Sequence, residues 1–304
     1  MTDPLPRRPM IIGHRGARAE LPENTLEGIR HAFSMGCDMV EIDVRLTSDG
    51  EVVVVHDAAL NPDLTRTVEG TWIESNLEIS KLTASGLSGY DIGRVRPDSS
   101  TERRFPDQSA LRSSHIPTLS EALALARENG GRLLIELKND PGTDPDGQAA
   151  ALLSARAAAN VEAEGVEDRV VFQSFDWRSL RHLHDRMTDT ELCALSCNKD
   201  GDAPGNVFQD SRWLDGHAEI ALARGVPAAV AVTGCDYWAP SAADIDACDL
   251  RNAKGLGLRV LVWTVNAPAK IDQMLDMDVF GIITDVPTLA LSRRRARRNP
   301  AFRG

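Results

Sequence analysis

Short apolar runs alternate with longer segments of helical periodicity along most of the chain. The runs Met10–Gly13, Met39–Val44, Arg132–Leu137, Val170–Gln173, Glu191–Leu195, Ala228–Val232, Arg259–Val265 and Val279–Thr284 are rich in Val, Ile and Leu, the composition of strands buried on both faces. Between them Asn24–Met35, Leu119–Glu128, Gln148–Asn160, Trp177–Arg186, Trp213–Ala223, Ala242–Leu256 and Ala269–Asp276 read as helices. This alternation predicts parallel strands covered by helices. One further run, Val52–Val55, follows the second strand after only Leu46–Glu51. A parallel crossover takes a dozen or more residues, so this run must fold back as a hairpin arm, with Asp49-Gly50 supplying its tight turn.

Eight parallel runs and one arm predict an α/β fold, a (β/α)8 TIM barrel with a hairpin at its second strand. In such barrels chemistry gathers where strands end and the following loops begin. The stretch between Ala58 and Ile116 is too long for a plain loop, and it carries Trp72, Tyr90 and Phe105 among Pro62, Pro97 and Pro106. It reads as a small packed subdomain, residues 58–116, inserted in a single barrel domain of residues 1–292. A basic tail, residues 293–304, follows.

Charge narrows the partners. The 304 residues hold 34 Lys and Arg against 45 Asp and Glu, a net of -11, and six of those arginines lie in Ser292–Gly304. Without them 28 bases face 45 acids, a body of -17 that makes nucleic acid a poor partner. The tail is short and lacks an apolar face, so it reads as a solvated helix end on an acidic body rather than a membrane anchor. Met1–Met10 lacks the apolar core of a secretory signal and no apolar run reaches 18 residues, from which a cytoplasmic protein without stable membrane insertion is expected. The five cysteines, odd in number and irregularly spaced, suit a reducing compartment. Cys193 and Cys197 have no second pair to complete a zinc site and read as core.

Polar residues collect at the predicted strand ends. The first strand runs into His14-Arg15-Gly16, the second carries Glu41 and Asp43, the arm leads to His56-Asp57, and the next strand brings Glu136 and Lys138. The spacing of two in Glu41/Asp43 and in Glu136/Lys138 puts both members of each pair on one face of a strand. Each feature has an ordinary structural reading. A histidine can be a satisfied strand-end residue, Glu41 and Asp43 can pair with Arg15 or Arg45, and Glu136 can pair with Lys138. Their convergence on one barrel mouth argues for chemistry instead. Three buried carboxylates need a cation. An all-oxygen set favours one divalent cation, Mg²⁺ or Ca²⁺. Arg15 and Lys138 suit the oxygens of a phosphate. His14 and His56 make an acid–base pair suited to phosphodiester cleavage.

The strings Ile12-Gly13-His14-Arg15-Gly16-Ala17, Pro22-Glu23-Asn24-Thr25, Glu41-Ile42-Asp43-Val44 and Val55-His56-Asp57 closely resemble the glycerophosphodiester phosphodiesterase family. Ile116–Leu119, Ile135–Lys138, Gln173–Asp176, Val262–Asn266 and Gly281–Asp285 continue the match in the same order, over roughly Met10 to Pro287. The resemblance implies a barrel enzyme that hydrolyses glycerophosphodiesters to glycerol 3-phosphate and an alcohol. It implies His14 and His56 as acid and base, Arg15 and Lys138 on the phosphate, Glu41, Asp43 and Glu136 on a divalent cation, and Trp263 beside the glycerol. It also implies a route through a cyclic phosphate, opened by water, and a subdomain inserted beside the site. Asn61, Arg66 and Thr67 lie just after His56 and are expected to reach the alcohol side. Asn24 and Glu27 have capping-box spacing, and Thr118 or Ser120 suits the start of a later helix. Gln173, Ser174, Thr284 and Asp285 read as supports of the site or as loop anchors. The alternatives are a lysophospholipase D-like or phosphatidylinositol-phospholipase-C-like barrel, which calls for an apolar rim, and a non-catalytic phosphate- or sugar-binding barrel.

Overall fold

The computed structural model describes residues 8–198 and 205–297. Eight parallel strands, Met10–Gly13, Met39–Leu46, Leu133–Leu137, Val170–Ser174, Glu191–Ser196, Tyr237–Pro240, Arg259–Val262 and Gly281–Thr284, follow one another around a sheet. The first pairs with both the last and the second, through Met10 opposite Gly281 and Ile12 opposite Met39, so the sheet closes into the predicted barrel. Val52–Val54 turns back antiparallel on the second strand, with Val44 opposite Val54, and Gly50 takes the positive φ of the turn.

The period-two alternation of the strands sorts the core into two layers. Outward residues such as Val40, Ile42, Val44, Leu133, Ile135 and Phe172 pack against the helices. Inward residues Ile12, Met39, Leu134, Val171, Cys193, Leu195, Tyr237, Leu261 and Ile283 fill the barrel. Continued toward the strand ends, the inward parity of the second, third and fourth strands reaches Glu41, Asp43, Glu136 and Gln173. The paired spacing in the sequence left inward or helix-covered faces open, and the barrel makes them inward.

The sixth strand differs from expectation. Val226–Ala231 is a helix with Pro227 in its first turn, and the strand begins six residues after it, at Tyr237–Pro240. Pro227 offers the preset φ that a helix start favours, and the Ala/Val run that follows continues the helix rather than a strand. The predicted helix Trp213–Ala223 is a 3-10 turn, Arg212–Leu214, followed by Ala218–Arg224, and Ala242–Leu256 contracts to Ala247–Gly255.

The insertion has its own apolar cluster, with Leu60, Ile73, Ile79, Leu87 and Ile116 packed beneath Val53 of the arm. It carries short pairings, Ala59–Leu60 with Leu77–Glu78 and Arg66–Thr67 with Tyr90–Asp91, and the helix Ser100–Arg104. At the other end, the helix Pro287–Ala296 continues past the 292/293 boundary drawn from sequence. Arg293 and Arg297 pair with Asp272, and Arg294 pairs with Asp38, so this arginine run is tied to the acidic body. The rest of the tail, with Arg298 and Arg303, lies outside the described residues, as does Met1–Arg7. Cys193 and Cys197 are buried, and no disulfide joins the cysteines among the described residues. No helix among those residues is long and apolar enough to cross a membrane.

Candidate active site

The loop after the first strand is built around two glycines. A Cβ on Gly13 would lie 2.1 Å from the Gly16 carbonyl oxygen, and Gly16 has a φ of +89° with the backbone of Gly28 within 2.9 Å of any added Cβ. This tight path turns His14 and Arg15 into the barrel mouth. Arg15 itself sits at positive φ, a strained conformation for a residue with a side chain. Its anchors are evident: the backbone N–H donates to Glu41 Oε2 at 2.9 Å, and the guanidinium meets Glu23 at 2.8 Å and Asp43 at 3.3 Å. Although burial opposes its charge, Glu23, Asp43 and Glu41 hold Arg15 above the ordinary guanidinium range.

Glu41, Asp43 and Glu136 are buried together, each offering an oxygen within 4.8 Å of the others. Burial, then the charges of Asp43 and Glu136, push Glu41 well above the usual carboxylate range. Burial also raises Glu136, where Lys138 opposes and Asp43 adds to the effect. Asp43 goes the other way: against its desolvation, Arg15, His56 and Lys138 keep it ionised. Yet Asp43 Oδ1 is buried with no hydrogen bond, and Lys138 Nζ stands 3.6 Å away. Lys138 spends its closest contact on Glu136, at 2.6 Å. An undercompensated, all-oxygen trio with an orphaned buried oxygen fits a hard divalent cation.

Each histidine is held by a carboxylate at Nδ1. His14 Nδ1 lies 2.5 Å from Asp285 Oδ1, and His56 Nδ1 lies 2.7 Å from Asp57 Oδ1. Desolvation would raise Asp285, but His14 and Arg18 keep it below the usual carboxylate range, and Asn266 donates to its other oxygen at 2.6 Å. An ionised carboxylate only accepts, so Nδ1 of His14 carries the proton and Nε2 faces the trio, 3.9 Å from Glu41. Asp57 is likewise held low by His56 and Asn61 against its partial burial. Burial, then Lys138 and Arg15, lower His56 to about 4. Arg45 bridges the arm to the third strand, donating to the carbonyls of His56 at 2.8 Å and Lys138 at 3.3 Å.

His14, Arg15, Glu41, His56, Glu136, Lys138 and Trp263 all line one cavity of about 630 Å³ at the mouth, with Asp43 buried beneath. Trp263 packs edge-on against Phe175 at 5.2 Å, and its indole donates to the Ala239 carbonyl. Asn61 also lines the cavity, whereas Arg66 is drawn away into a two-pronged pair with Asp91.

Several residues of the site carried weak sequence signals. Asn24 is not the helix cap, since Thr25 takes that position. Asn24 turns at positive φ, donates to Asp43 Oδ2 at 3.0 Å and accepts from the Asp43 backbone N–H. Gln173 donates to Glu41 Oε1 at 3.3 Å, which leaves its own buried carbonyl oxygen without a partner. Its parity with Glu136 on the neighbouring strand was the available clue. Arg18 and Arg104 reach the cavity from segments that carry no motif.

Residues 14–289 match the Glycerophosphoryl diester phosphodiesterase family. Among relatives, a glycerophosphodiester phosphodiesterase of Bacillus altitudinis is 27% identical over 93% of this chain and 97% of its own. A crystal structure from Silicibacter pomeroyi, provisionally assigned as a glycerophosphoryl diester phosphodiesterase, superposes with a TM-score of 0.84 at 33% identity, covering 96% of this chain and 95% of that one. An Oleispira antarctica phosphodiesterase, solved with the product sn-glycerol-3-phosphate, shares the fold at a TM-score of 0.69 and 22% identity over 94% of this chain and 96% of that one. The family match runs from His14 to Leu289 and takes in every candidate residue of the mouth: the chain belongs to the glycerophosphoryl diester phosphodiesterase family.

Proposed function

We propose that this protein hydrolyses glycerophosphodiesters to glycerol 3-phosphate and an alcohol, with a divalent cation, Mg²⁺ or Ca²⁺, and with His14 and His56 as the acid–base pair. The observation that carries the reading is the setting of two carboxylate-bound histidines beside one buried carboxylate trio, in a cavity of about 630 Å³. A cation held by Glu41, Asp43 and Glu136 would neutralise charge on the phosphoryl oxygens. Arg15 and Lys138 keep donors beyond those used on carboxylates and bind the remaining phosphate oxygens. Trp263 and Phe175 offer an apolar wall to the glycerol carbons.

In the first step one histidine takes the proton of the glycerol 2-hydroxyl as its oxygen attacks phosphorus. The bond from phosphorus to the alcohol breaks, and the other histidine gives that alcohol a proton. Intramolecular attack gains effective concentration and yields a 1,2-cyclic phosphate. Water then opens the ring with the two proton roles exchanged. Asp285 and Asp57 hold the rings so that Nε2 does this work. A substrate carrying propane-1,3-diol in place of glycerol lacks the nucleophile and is expected to be inert. Cleavage of that analogue at the parent rate would remove the cyclic step.

The apolar rim needed by a lipid-cleaving enzyme has little support: among the described residues Phe208 is the one aromatic among the large exposed apolar side chains. The intact set of histidines and carboxylates also disfavours a purely binding role.

A further inference from the structure

Among the described residues five cationic side chains line the cavity: Arg15, Arg18, Arg45, Arg104 and Lys138. Four are committed. Arg15 pairs with Glu23 at 2.8 Å, Arg18 with Glu23 at 2.5 Å and Lys138 with Glu136 at 2.6 Å, while Arg45 donates to the His56 carbonyl at 2.8 Å. Arg104 differs. Its one acidic neighbour among the described residues is Asp285 at 4.0 Å, and the Asp285 oxygens are already taken by His14 and Asn266. Its side chain is 60% exposed, at the end of the insertion helix Ser100–Arg104.

This guanidinium is nevertheless placed. It lies over the Phe105 ring at 5.3 Å, and Arg18 lies over the same ring at 5.0 Å. Phe105 is itself buried, and the neighbouring loop is tied to the barrel by Gln108, which donates to the Arg18 carbonyl at 2.7 Å, and by the Ser109 N–H, which donates to the Glu20 carbonyl at 2.9 Å. The insertion therefore holds a cation with unspent planar donors at the rim of a cavity whose other cations are engaged with carboxylates or, for Arg45, with backbone carbonyls.

We propose that Arg104 forms a subsite for an anionic group on the alcohol portion of the substrate, a carboxylate or a second phosphate, and that the enzyme favours glycerophosphodiesters of anionic alcohols. The inference rests on the phosphodiesterase reading above and adds the substrate class. Depth argues for it. The phosphodiester sits against Arg15, Lys138 and the trio, so a group reaching the exposed rim belongs to the part of the substrate that projects outward. A guanidinium fork matches a carboxylate or phosphate with two parallel hydrogen bonds, whereas it repels the ammonium of a cationic alcohol.

The test uses two matched pairs of substrates, each differing by one anionic group. Glycerophosphoethanolamine and glycerophosphoserine differ by a carboxylate; glycerophosphoinositol and glycerophosphoinositol 4-phosphate differ by a phosphate. The kcat/KM of the metal-loaded full chain should favour the anionic member of at least one pair by about fivefold, the scale of one exposed guanidinium–anion contact. Arg104→Gln should erase that preference while leaving the other member within about twofold, and Arg104→Glu should invert it. The preference should also shrink at high salt, as an exposed charge contact must. The pair that responds identifies the anion. Equal rates within both pairs, or an Arg104→Gln variant that slows all four substrates alike, would overturn the subsite while leaving the phosphodiesterase reading intact. No hydrolysis of any of the four would overturn that reading, and the subsite with it. Thermal unfolding of both variants at the wild-type temperature would establish that this exposed position does not act through stability.

Discussion

A histidine becomes a directional proton carrier when one ring nitrogen is committed and the other is left for the substrate. Both histidines of this mouth meet that condition, by carboxylates of different strength. Asp285 is fully buried and pinned by Asn266, while Asp57 is partly exposed at the head of the insertion. His14→Ala or His56→Ala should lower turnover by at least about 10²-fold with the fold retained; near-normal hydrolysis of glycerophosphoethanolamine by either variant would remove that histidine from the mechanism. Asp285→Asn keeps the shape but replaces the acceptor with a group that can donate, favouring the wrong tautomer of His14. Its kcat should fall by about 10-fold to 10²-fold with little change in KM, and by more than in Asp57→Asn. Equal kcat for all three proteins would contradict the positioning role. The histidines and the three carboxylates were legible in sequence, because strand spacing and motif order expose them. Asn24 was not, because Asx side chains before a helix usually cap it. Here the positive φ at Asn24 turns the amide onto Asp43 instead.

At the scale of elements, the site depends on how closely a few segments approach. In Gly13→Ala the new Cβ would strike the Gly16 carbonyl at 2.1 Å, which forces the His14–Arg15 loop to move. The expected outcome is a loss of stability of about 1–3 kcal/mol, as in other overpacked sites, together with most of the activity. Unchanged kcat and unfolding midpoint would refute the account of that loop. A contrasting case is Thr118, which caps the helix Leu119–Glu128 reciprocally with Glu121. Thr118→Ala should cost about 1 kcal/mol in denaturant unfolding and leave kcat unaltered, separating an architectural motif residue from a chemical one. Sequence patterning located seven of the eight strands because their apolar runs are continuous. It misplaced the sixth because Ala/Val runs suit a buried helix as well as a strand. The true strand, Tyr237–Pro240, is four residues long and ends on proline, so its own signal is weak.

At the scale of the whole molecule, an acidic chain carries a site for an anion. On the proposed reading a cation at the carboxylate trio resolves the conflict, and that requirement is measurable without activity. Glu41 and Glu136 have raised folded-state pKa values, so their ionised forms cost stability at neutral pH. Protonating them recovers it as pH falls toward their ordinary range, and a bound cation recovers it at neutral pH. A saturating divalent cation, at about 100 times its Kd, adds about 2.7 kcal/mol, a rise in Tm of about 4 °C for a chain of this size. The rise should be largest near pH 8 and shrink toward pH 5, where protons compete for the same oxygens. An increment independent of pH, or one retained in Glu136→Gln, would place the cation elsewhere. Barrel closure was readable from the count of parallel runs. The free Arg104 was not, because its role arises only when the insertion folds over the mouth.

On the proposed reading this barrel releases glycerol 3-phosphate by cation-dependent phosphodiester cleavage. The most direct test measures glycerol 3-phosphate from a panel of glycerophosphodiesters with chelated protein, and again after Mg²⁺ or Ca²⁺ is restored. Release is expected only with the cation, and is abolished in Glu136→Gln. Full-rate release by the chelated protein, or none from any substrate with cation demonstrably bound, would contradict it.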